Sequence, residues 1–282
     1  MKTLGTVFQL ECLLEYKNFY LMSGNFLLID DILIPRILVT EKDFLLVYKP
    51  PLMHTAPLKT QGAETLLEWV CREFPELAEL HGRKEGEGGL LHRLDYETHG
   101  LLLVARTKAG MENLLAQQRE DKMHKKYSAI SSGEKISIPG FPADPLCSTV
   151  ERFCSPTERF CSPTDHLCPT RIISAFRPYG PGRKAVRPML NGDKKYITEI
   201  VKIIPVKDGE NSLSIRIVKG FRHQIRCHLA WLGLPILNDT LYGGKYFGKG
   251  LLGLRATSIS FSDPATGRDL CYSIPELEIG DI

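Results

Sequence analysis

Hydrophobic residues recur along the chain at two different spacings, and the two spacings predict a mixture of strands and helices. Compact apolar runs at residues 26–34 (FLLIDDILI) and 44–48 (FLLVY) predict two early strands, and the continuous run at 100–106 (GLLLVAR) predicts a strand buried on both faces. Across residues 64–80 the apolar side chains recur at helical spacing, which predicts an amphipathic helix that Pro75 can break or kink.

The next elements follow from the same spacings. Thr107 is a suitable N-cap for a helix that extends to about Arg119, and KKYSAI at 125–130 predicts the start of a strand. Two further strands are predicted at 196–203 and 213–218.

The last part of the chain predicts one helix and one hairpin. The helix covers about residues 222–232 and ends at Gly233, with Pro235 just beyond it. Period-two alternation on both sides of the turn DPATG predicts a hairpin over residues 255–274. Because strands and helices are mixed without strict alternation, we predict an α+β fold with a mixed or largely antiparallel sheet.

Composition and charge narrow the class of protein. The chain has 282 residues, of which 43% are hydrophobic, and this globular composition allows one or two domains. The net charge of +3 is small, so any surface for nucleic acid has to be a local basic patch. Residues 1–16 lack the pattern of a secretory signal, and the apolar runs are too short to span a membrane. We therefore expect a soluble, cytoplasmic protein with no membrane association.

Four of the eight cysteines fall in a seven-residue unit that is repeated in tandem at residues 147–170 (CSTVERF CSPTERF CSPTDHL CPT). A structural zinc site prefers close C-x2-C pairs, which this spacing does not provide, and the prolines exclude a coiled coil. We interpret the segment as a low-complexity insertion rather than a metal site. The other cysteines lie in apolar surroundings and are expected to be small buried hydrophobes: Cys12, Cys71, Cys227 and Cys271.

The first candidate for chemistry is Asp95, in the stretch HRLDYETHG at residues 92–100. A lone aspartate in such a stretch is usually a turn former or half of a surface ion pair. Here, however, apolar residues flank it on both sides, so the carboxylate is expected to be partly desolvated. It would then need a cation or hydrogen bonds to stay ionised.

A second candidate is the basic segment KGFRHQIRCHL at residues 219–229. On a helix, Arg222, His223 and Arg226 would share one side, opposite the apolar residues. The plain interpretation is an amphipathic helix with a solvated basic face. The alternative is a cluster that binds RNA phosphate or a buried carboxylate.

The third candidate is Tyr127, which follows two lysines in the predicted strand at 125–130. A tyrosine in a basic strand is more often a half-buried packing residue. Its other possible use is to stack on a nucleobase.

Together these segments resemble the RluA-type pseudouridine synthases, and they occur in the same order. GLLHRLDYETHGLLLVART is similar to HRLDxxTSGLLLLAK, KKYSAI to K-x-Y-x-A, and GFRHQIRCHLAWLGLPILNDTLYGG to GRTHQIRVHLAxLGHPIxGDxLYG. LLVYKPPLMHTAP and LLGLRATSISFSDPATG resemble two further motifs of that family, so the similarity covers about residues 38–275. Several long motifs in one order are far more specific than any single short pattern.

The resemblance implies a fold and an activity. The implied fold is the pseudouridine synthase α+β fold, a mixed, mainly antiparallel sheet in two halves with flanking helices and a central active-site cleft. The implied activity is isomerisation of uridine in rRNA or tRNA to pseudouridine, by a monomer that needs no cofactor and no metal. We expect a catalytic domain at 38–282 that contains the insertion at 147–170, and an N-terminal extension at 1–37 without an S4 domain.

The resemblance also implies roles for individual residues. Asp95 matches the aspartate that attacks C1′ of the ribose or, in the competing glycal scheme, takes the 2′ proton. Arg226 matches the arginine that pairs with this aspartate and keeps its pKa low, and Tyr127 matches the tyrosine that stacks on the uracil and is proposed to move the C5 proton. Arg93 would fill the gap left by the flipped base, and His92 would orient the loop. The residues expected to bind substrate are His92, Arg93, Thr98, Arg222, His223, Gln224 and Leu241.

The chain departs from the family pattern at two points. His99 stands where the family usually has serine, and Phe221 and Arg222 stand where it has arginine and threonine. The loss of an arginine at 221 could move a phosphate contact to Arg222. A basic loop lies at residues 177–187, and the expected RNA cleft is lined by Arg93, Arg183, Lys184, Arg222 and Arg226.

Two other functions are compatible with parts of the sequence. A non-catalytic RNA-binding relative would have no need to keep Asp95, Tyr127 and Arg226 together. A hydrolase of glycosidic bonds would need a second catalytic carboxylate. Glu97 is the obvious choice for one, but it matches a variable position of the family motif, and we expect it not to be catalytic.

Overall fold

A computed structural model describes residues 25–27, 31–58, 62–80, 86–132, 141–142, 150–152 and 170–282 of the chain. The strands in these ranges are β1 Asn25–Phe26, β2 Arg36–Thr40, β3 Phe44–Lys49, β4 His99–Ala105, β5 His124–Ser132, β6 Val150–Arg152, β7 Thr170–Tyr179, β8 Ala185–Met189, β9 Tyr196–Pro205, β10 Glu210–Ile217, β11 Leu254–Ser262 and β12 Asp269–Ser273. The α-helices are α1 Leu66–Glu73, α2 Lys108–Arg119 and α3 Gln224–Leu232, and short 3-10 helices lie at Pro75–Glu79, Pro181–Arg183 and Ile279–Asp281.

The strands form a mixed, mainly antiparallel sheet in the order β2-β3-β4-β11-β5-β10-β9-β7-β6, which confirms the predicted α+β class. β11 lies between two strands that follow each other in the chain, parallel to β4 and antiparallel to β5. Gly100 permits this arrangement. A Cβ there would lie 2.2 Å from the carbonyl oxygen of Ala256 on β11, and its φ of 122° is one that other residues rarely adopt.

The sheet has an apolar core on each face, as its alternating side chains require. Leu45 and Val47 of β3 join the core that contains α1, whereas Phe44, Leu46 and Tyr48 join the core that contains α2. β3 and β4 are buried along their whole length, which confirms the expectation for residues 100–106. Each large apolar side chain that is fully buried contributes about 1.5–3 kcal/mol to stability.

Local signals set the ends of the helices. Thr65 and Glu68 form a capping box at the start of α1, and the helix stops before Pro75, where a 3-10 turn replaces it. Thr107 caps α2 by accepting a hydrogen bond from the N–H of Gly110, and Gly233 ends α3 with a φ of 84°. The predicted break at Pro75 and the caps at Thr107 and Gly233 are therefore confirmed.

The strand predicted at 26–34 is wrong in its bounds. Among the described residues there, Asn25 and Phe26 pair in parallel with β12 and the N–H of Leu27 donates to the carbonyl oxygen of Ser273, while residues 28–30 lie outside the described ranges and 31–34 contain a turn. The Asp31 carboxylate accepts a hydrogen bond from the N–H of Leu33 at 2.8 Å. Pro35 follows, and the next strand therefore begins only at Arg36.

The repeat at 147–170 lies mostly outside the described residues, so its interpretation as a low-complexity insertion stays a prediction. β6 lies inside it and pairs antiparallel with residues 170–172 of β7. Of the other cysteines, Cys227 is buried as expected, whereas Cys71 and Cys271 are only half-buried. Cys12 falls outside the described ranges.

Candidate active site

The loop that carries Asp95 is fixed from both sides. The hydroxyl of Thr55 donates to the carbonyl oxygen of Leu94 at 2.8 Å and accepts from its N–H at 3.2 Å. The Nε2 of His92 accepts a hydrogen bond at 3.4 Å from the N–H of Leu103 on β4. This bond joins His92 to β4, and the expected role of His92 in orienting the loop stays a prediction. Asp95 comes just before the buried strand.

Arg226 on α3 is the centre of a cluster of carboxylates. Its Nε and Nη2 donate to Asp239 at 2.7 and 2.8 Å, and its Nη1 lies 3.1 Å from Glu97 and 3.8 Å from Asp95. The expected pairing of Arg226 with Asp95 is therefore present, although Asp239 is the main partner. The arginine side chain is only 3% exposed, so at Arg226 the interpretation as a solvated basic face is wrong and the alternative, a buried carboxylate partner, holds.

The burial of Asp95 dominates its protonation. Burial raises the pKa of Asp95 to about 6, against the lowering effect of Arg226, and Glu97 and Asp239 raise it further. The expectation that Arg226 keeps this pKa low is therefore wrong in its net effect, because desolvation outweighs the arginine. The side chain remains 22% exposed, so a substrate can reach the carboxylate.

Tyr127 is brought to the same place from β5. It packs in the apolar cluster that holds Leu94 and Ile225, the neighbours of Asp95 and Arg226 in the chain. Burial raises the pKa of Tyr127, and the charge of Asp95 raises it further, so the phenol is neutral at physiological pH. The three residues expected to be catalytic thus lie together.

His223 closes the site at the start of α3. Its backbone takes a left-handed conformation with a φ of 54°, and its N–H donates to Asp95. The ring nitrogen Nδ1 lies 3.2 Å from the hydroxyl of Tyr242. Burial lowers the pKa of His223 to about 4, so the ring is neutral. The left-handed residue also explains why the helix begins at Gln224 rather than at residue 222.

The other residues expected to bind substrate differ in what they offer. Gln224 uses both ends of its amide inside the fold: it accepts from Phe221 at 3.0 Å and donates to Ile197 at 2.9 Å, so it positions α3. Thr98 is 2% exposed, and among the described residues its hydroxyl has no hydrogen-bond partner. Leu241 is 40% exposed.

The two exposed arginines have partners as well. Arg222 donates to the carbonyl oxygens of Arg183 and Ala185 at 2.8 and 3.1 Å, and so joins the basic loop to α3. Arg93 is 57% exposed and pairs with Glu87 at 3.3 Å. Both remain open to a phosphate.

Two residues that depart from the family motifs, His99 and Phe221, pack inside the fold around the site. The His99 ring is buried, and its Nε2 accepts from the Nε of Arg255 at 3.0 Å. The Phe221 ring stacks on Phe176, with centroids 5.2 Å apart and planes 7° apart. Both residues therefore act on the scaffold around the site.

Two further residues contact the site but were not singled out in the sequence, Lys49 and Asp239. Lys49 is fully buried at the end of β3, and its ammonium donates to the carbonyl oxygens of Pro50, Met53 and Tyr96 at 2.8, 2.7 and 3.3 Å. Burial lowers the pKa of Lys49 to about 7, although Asp95 and Glu97 oppose this. Lys49 was signalled by its place between an apolar run and two prolines, and Asp239 by its match to the aspartate of the GDxLYG motif.

The carboxylates near Asp95 bear on the hydrolase alternative. Glu97 and Asp239 are both held by Arg226, and Asp239 has no exposed surface. The Glu97 side chain is 41% exposed, so the expectation that Glu97 is not catalytic stays a prediction. Among the described residues, no group of three or more His, Cys, Asp or Glu is arranged to hold a metal ion, and no helix is long and apolar enough to cross a membrane.

Comparison with known proteins gives a consistent result. A family model described as RNA pseudouridylate synthase matches residues 43–231. The chain is 24% identical to the uncharacterized RNA pseudouridine synthase YjbO of Bacillus subtilis, over 85% of this chain and 71% of that protein. It is 30% identical to the ribosomal large subunit pseudouridine synthase C of Buchnera aphidicola, over 66% of this chain and about half (52%) of that protein. A solved structure of human RNA pseudouridylate synthase domain containing 1 matches 86% of this chain and 84% of its own, with a TM-score of 0.54 and 19% identity.

Proposed function

Because the chain belongs to the RNA pseudouridylate synthase family, we propose that it isomerises specific uridines of rRNA or tRNA to pseudouridine, with Asp95 acting on the ribose of a flipped nucleotide. One observation carries the proposal: a desolvated carboxylate that is still reachable from solvent lies beside a buried arginine and a buried tyrosine. The names of relatives such as the ribosomal large subunit synthases C and D favour rRNA as the substrate.

The reaction is a rearrangement in which the bond from N1 of uracil to C1′ breaks and a bond from C5 to C1′ forms. The proton on C5 is lost and N1 gains one, so no redox cofactor is required. Asp95 would attack C1′, or take the 2′ proton in the glycal scheme, and both roles require it to be ionised. With a pKa of about 6, it is mostly ionised at pH 7 and above.

Arg226 and Tyr127 would support this step. Two nitrogens of Arg226 are held by Asp239, so its third nitrogen is fixed in direction and stabilises the ionised Asp95. Tyr127 is a neutral, largely buried ring in the same apolar cluster, which suits stacking on the uracil. His223 donates its backbone N–H to the same carboxylate.

RNA would be held by exposed cations around this opening. Arg93, Arg183, Lys184 and Arg222 are exposed and remain in the proposed cleft, whereas Arg226 is removed from it because it is buried and held by carboxylates. We propose that the protein acts as a cytoplasmic monomer. Charge reversal at any of the four exposed residues is expected to weaken RNA binding and to flatten its dependence on salt.

The test is a map of pseudouridine in cellular rRNA and tRNA from three strains, with the wild-type protein, with no protein, and with Asp95→Asn. Loss of the same sites in both defective strains supports the activity and the role of Asp95 together. Sites that are lost without protein but kept with Asp95→Asn would refute the role of Asp95. If no site changes in either strain, the alternative of a non-catalytic RNA-binding protein takes precedence.

A further inference from the structure

Next to Asp95, the structure presents a pair of tilted aromatic rings in contact, which the reaction scheme above does not use. The rings of Tyr96 and His54 have centroids 4.5 Å apart and planes inclined by 37°. Tyr96 is 41% exposed, although it lies beside a desolvated carboxylate. We propose that Tyr96 and His54 form a stacking subsite for the base of a nucleotide next to the flipped uridine, an inference that rests on the proposed function.

The ring pair is held by two fixed backbone segments. The buried ammonium of Lys49 binds the carbonyl oxygens of Met53 and Tyr96, and so ties the turn that carries His54 to the loop that carries Tyr96. The Thr55 hydroxyl makes a second tie, to Leu94. A platform that is already ordered loses little entropy when a ligand stacks on it.

The position of His54 is fixed further by α1. Its carbonyl oxygen accepts a hydrogen bond at 2.8 Å from the N–H of Leu66, the first residue of the helix, and the carbonyl oxygen of Thr55 accepts from Leu67 at 3.1 Å. The turn thus serves as the N-terminal support of α1. His54 can therefore buttress the Tyr96 ring from behind.

The chemistry of the reaction creates a need for such a surface. A flipped uridine leaves its neighbours without a stacking partner, which costs a few kcal/mol. An exposed aromatic ring beside the pocket can replace that lost contact for any base, because every base has a π-face. Along one short loop, Arg93 offers a charge for phosphate, Asp95 the reacting group and Tyr96 the aromatic face.

The surface continues into the same turn. Leu52 is 56% exposed and takes a φ of 57°, a conformation that a leucine rarely adopts. Residues held in such sparsely populated backbone conformations cluster at functional sites. Leu52 and Tyr96 thus present apolar area on the two segments that Lys49 joins.

The experiment uses short RNAs that contain a uridine found in the pseudouridine map and labelled with tritium at C5, so that product formation is followed by tritium release. Two further RNAs carry an abasic ribose on one or the other side of that uridine. For the wild-type protein, one of the abasic RNAs is expected to raise KM about tenfold. Tyr96→Leu is expected to raise KM about tenfold on the intact RNA, with kcat within about twofold.

The rise in KM caused by the abasic RNA and the rise caused by Tyr96→Leu should not add if both remove the same stacking contact. Tyr96→Leu is therefore expected to lose little more when that base is missing, whereas Tyr96→Phe, which keeps the ring, should behave like the wild type. Tyr246 offers a matched control, because it is 71% exposed and lies beside Gly250. Tyr246→Leu should leave KM unchanged. An unchanged KM in Tyr96→Leu, a loss confined to kcat, or losses that add would each overturn the subsite.

Failure of the subsite and failure of the proposed function are distinguishable. If the wild-type protein converts uridine but Tyr96→Leu keeps its KM, only the subsite is refuted. If the wild-type protein converts no uridine, the function is refuted, and binding of a fluorescein-labelled uridine nonamer by the same variants decides the subsite. Weaker binding by Tyr96→Leu than by Tyr96→Phe supports it, and equal binding overturns it.

Discussion

Two buried arginines, Arg226 and Arg255, show how the same side chain serves two different purposes in this fold. Their side chains are 3% and 6% exposed, and each is surrounded by polar groups from distant parts of the chain. Arg255 donates to His99, to the carbonyl oxygens of Pro275 and Glu276, and to Asp281, all within 3.3 Å. It joins the C-terminal segment to the sheet.

Arg226 differs in the state of one nitrogen. Asp239 holds Nε and Nη2 tightly, but Nη1 is shared between Glu97 at 3.1 Å and Asp95 at 3.8 Å, and both of these carboxylates are partly exposed. A charge whose nitrogens are all satisfied stabilises a structure. A charge with one loosely held nitrogen beside a reachable carboxylate can take part in a reaction.

The largest effect is expected when the Asp95 carboxylate, which lies 3.8 Å from Nη1 of Arg226, is removed. Asp95→Asn is expected to lower the rate of pseudouridine formation by at least about a thousandfold. Stability should not fall at neutral pH, because burial disfavours the charged form of Asp95. Tritium release and thermal unfolding are the measurements. Activity within tenfold of the wild type would contradict the assignment.

Asp95 should also change how the stability of the protein depends on pH. Its folded pKa of about 6 lies above the unfolded value of about 3.8, so the folded state holds the proton more tightly. The contribution of Asp95 is therefore most favourable below about pH 4 and declines as pH rises to about 6. Unfolding of Asp95→Asn should lack this decline.

The next largest effect should come from removing each arginine in turn. Arg226→Met leaves Asp239 buried without a partner, which should cost about 3–5 kcal/mol of unfolding free energy. Arg255→Met should cost less, about 1–3 kcal/mol, because its partner Asp281 is 33% exposed. Denaturant unfolding measures both.

Activity separates the two arginines further. Arg255→Met is expected to keep the activity of the protein that remains folded, whereas Arg226→Met should lose it. The double variant Arg226→Met with Asp239→Leu should recover stability but not activity. Equal losses of activity in Arg226→Met and Arg255→Met would contradict the view that only Arg226 takes part in the reaction.

A smaller effect is expected for His99→Ser, which restores the residue usual in the family. The Nε of Arg255 loses its partner and a small cavity forms, at a cost of about 1–2 kcal/mol, with kcat unchanged. Burial lowers the pKa of His99 well below its usual value, and the charge of Arg255 lowers it further. The wild type should therefore lose stability as pH falls below about 6.5, because the unfolded chain takes up a proton that the folded state refuses. Acid unfolding should show a weaker loss in His99→Ser.

The smallest effect should come from Glu97→Gln. The charge of Glu97 raises the pKa of Asp95, as does that of Asp239, while Arg226 and the N–H of His223 lower it. Removing the Glu97 charge should move the acid limb of kcat/KM to lower pH, so that the rate at pH 5.5 rises about two- to threefold relative to pH 8. Glu87→Gln, at a carboxylate that pairs with Arg93, is the matched control. An unmoved acid limb would mean that Glu97 does not act on Asp95.

Local patterns predicted the elements of this fold better than the contacts that join them. The apolar run at 100–106, the cap at Thr107, the break at Pro75 and the stop at Gly233 all depend on neighbouring residues, and the structure confirms each of them. The strand predicted at 26–34 was wrong because a local turn before Pro35 overrides its apolar composition. The resemblance to a family located Asp95, Tyr127 and Arg226.

The remaining features depend on tertiary contacts that no local pattern contains. The helix pattern left open whether Arg226 lies on a solvated face or pairs with a buried carboxylate, and the position of Asp239 in the following loop explains why it is buried. Lys49 lies 47 residues before Tyr96, whose carbonyl oxygen it binds. The balance between burial and Arg226 that sets the pKa of Asp95 likewise exists only once the chain has folded.

The position of β11 between β4 and β5 has a consequence for how the protein is made. β4 and β5 leave the ribosome one after the other, but both need β11, which is synthesised much later, as a neighbour in the sheet. Until then each has an unpaired edge, which can pair with another chain. Until residues 254–262 have emerged, β4, the strand that follows Asp95, lacks one of its two partners. Nascent chains should therefore be inactive and should depend on chaperones, even while they are surrounded by ribosomal RNA.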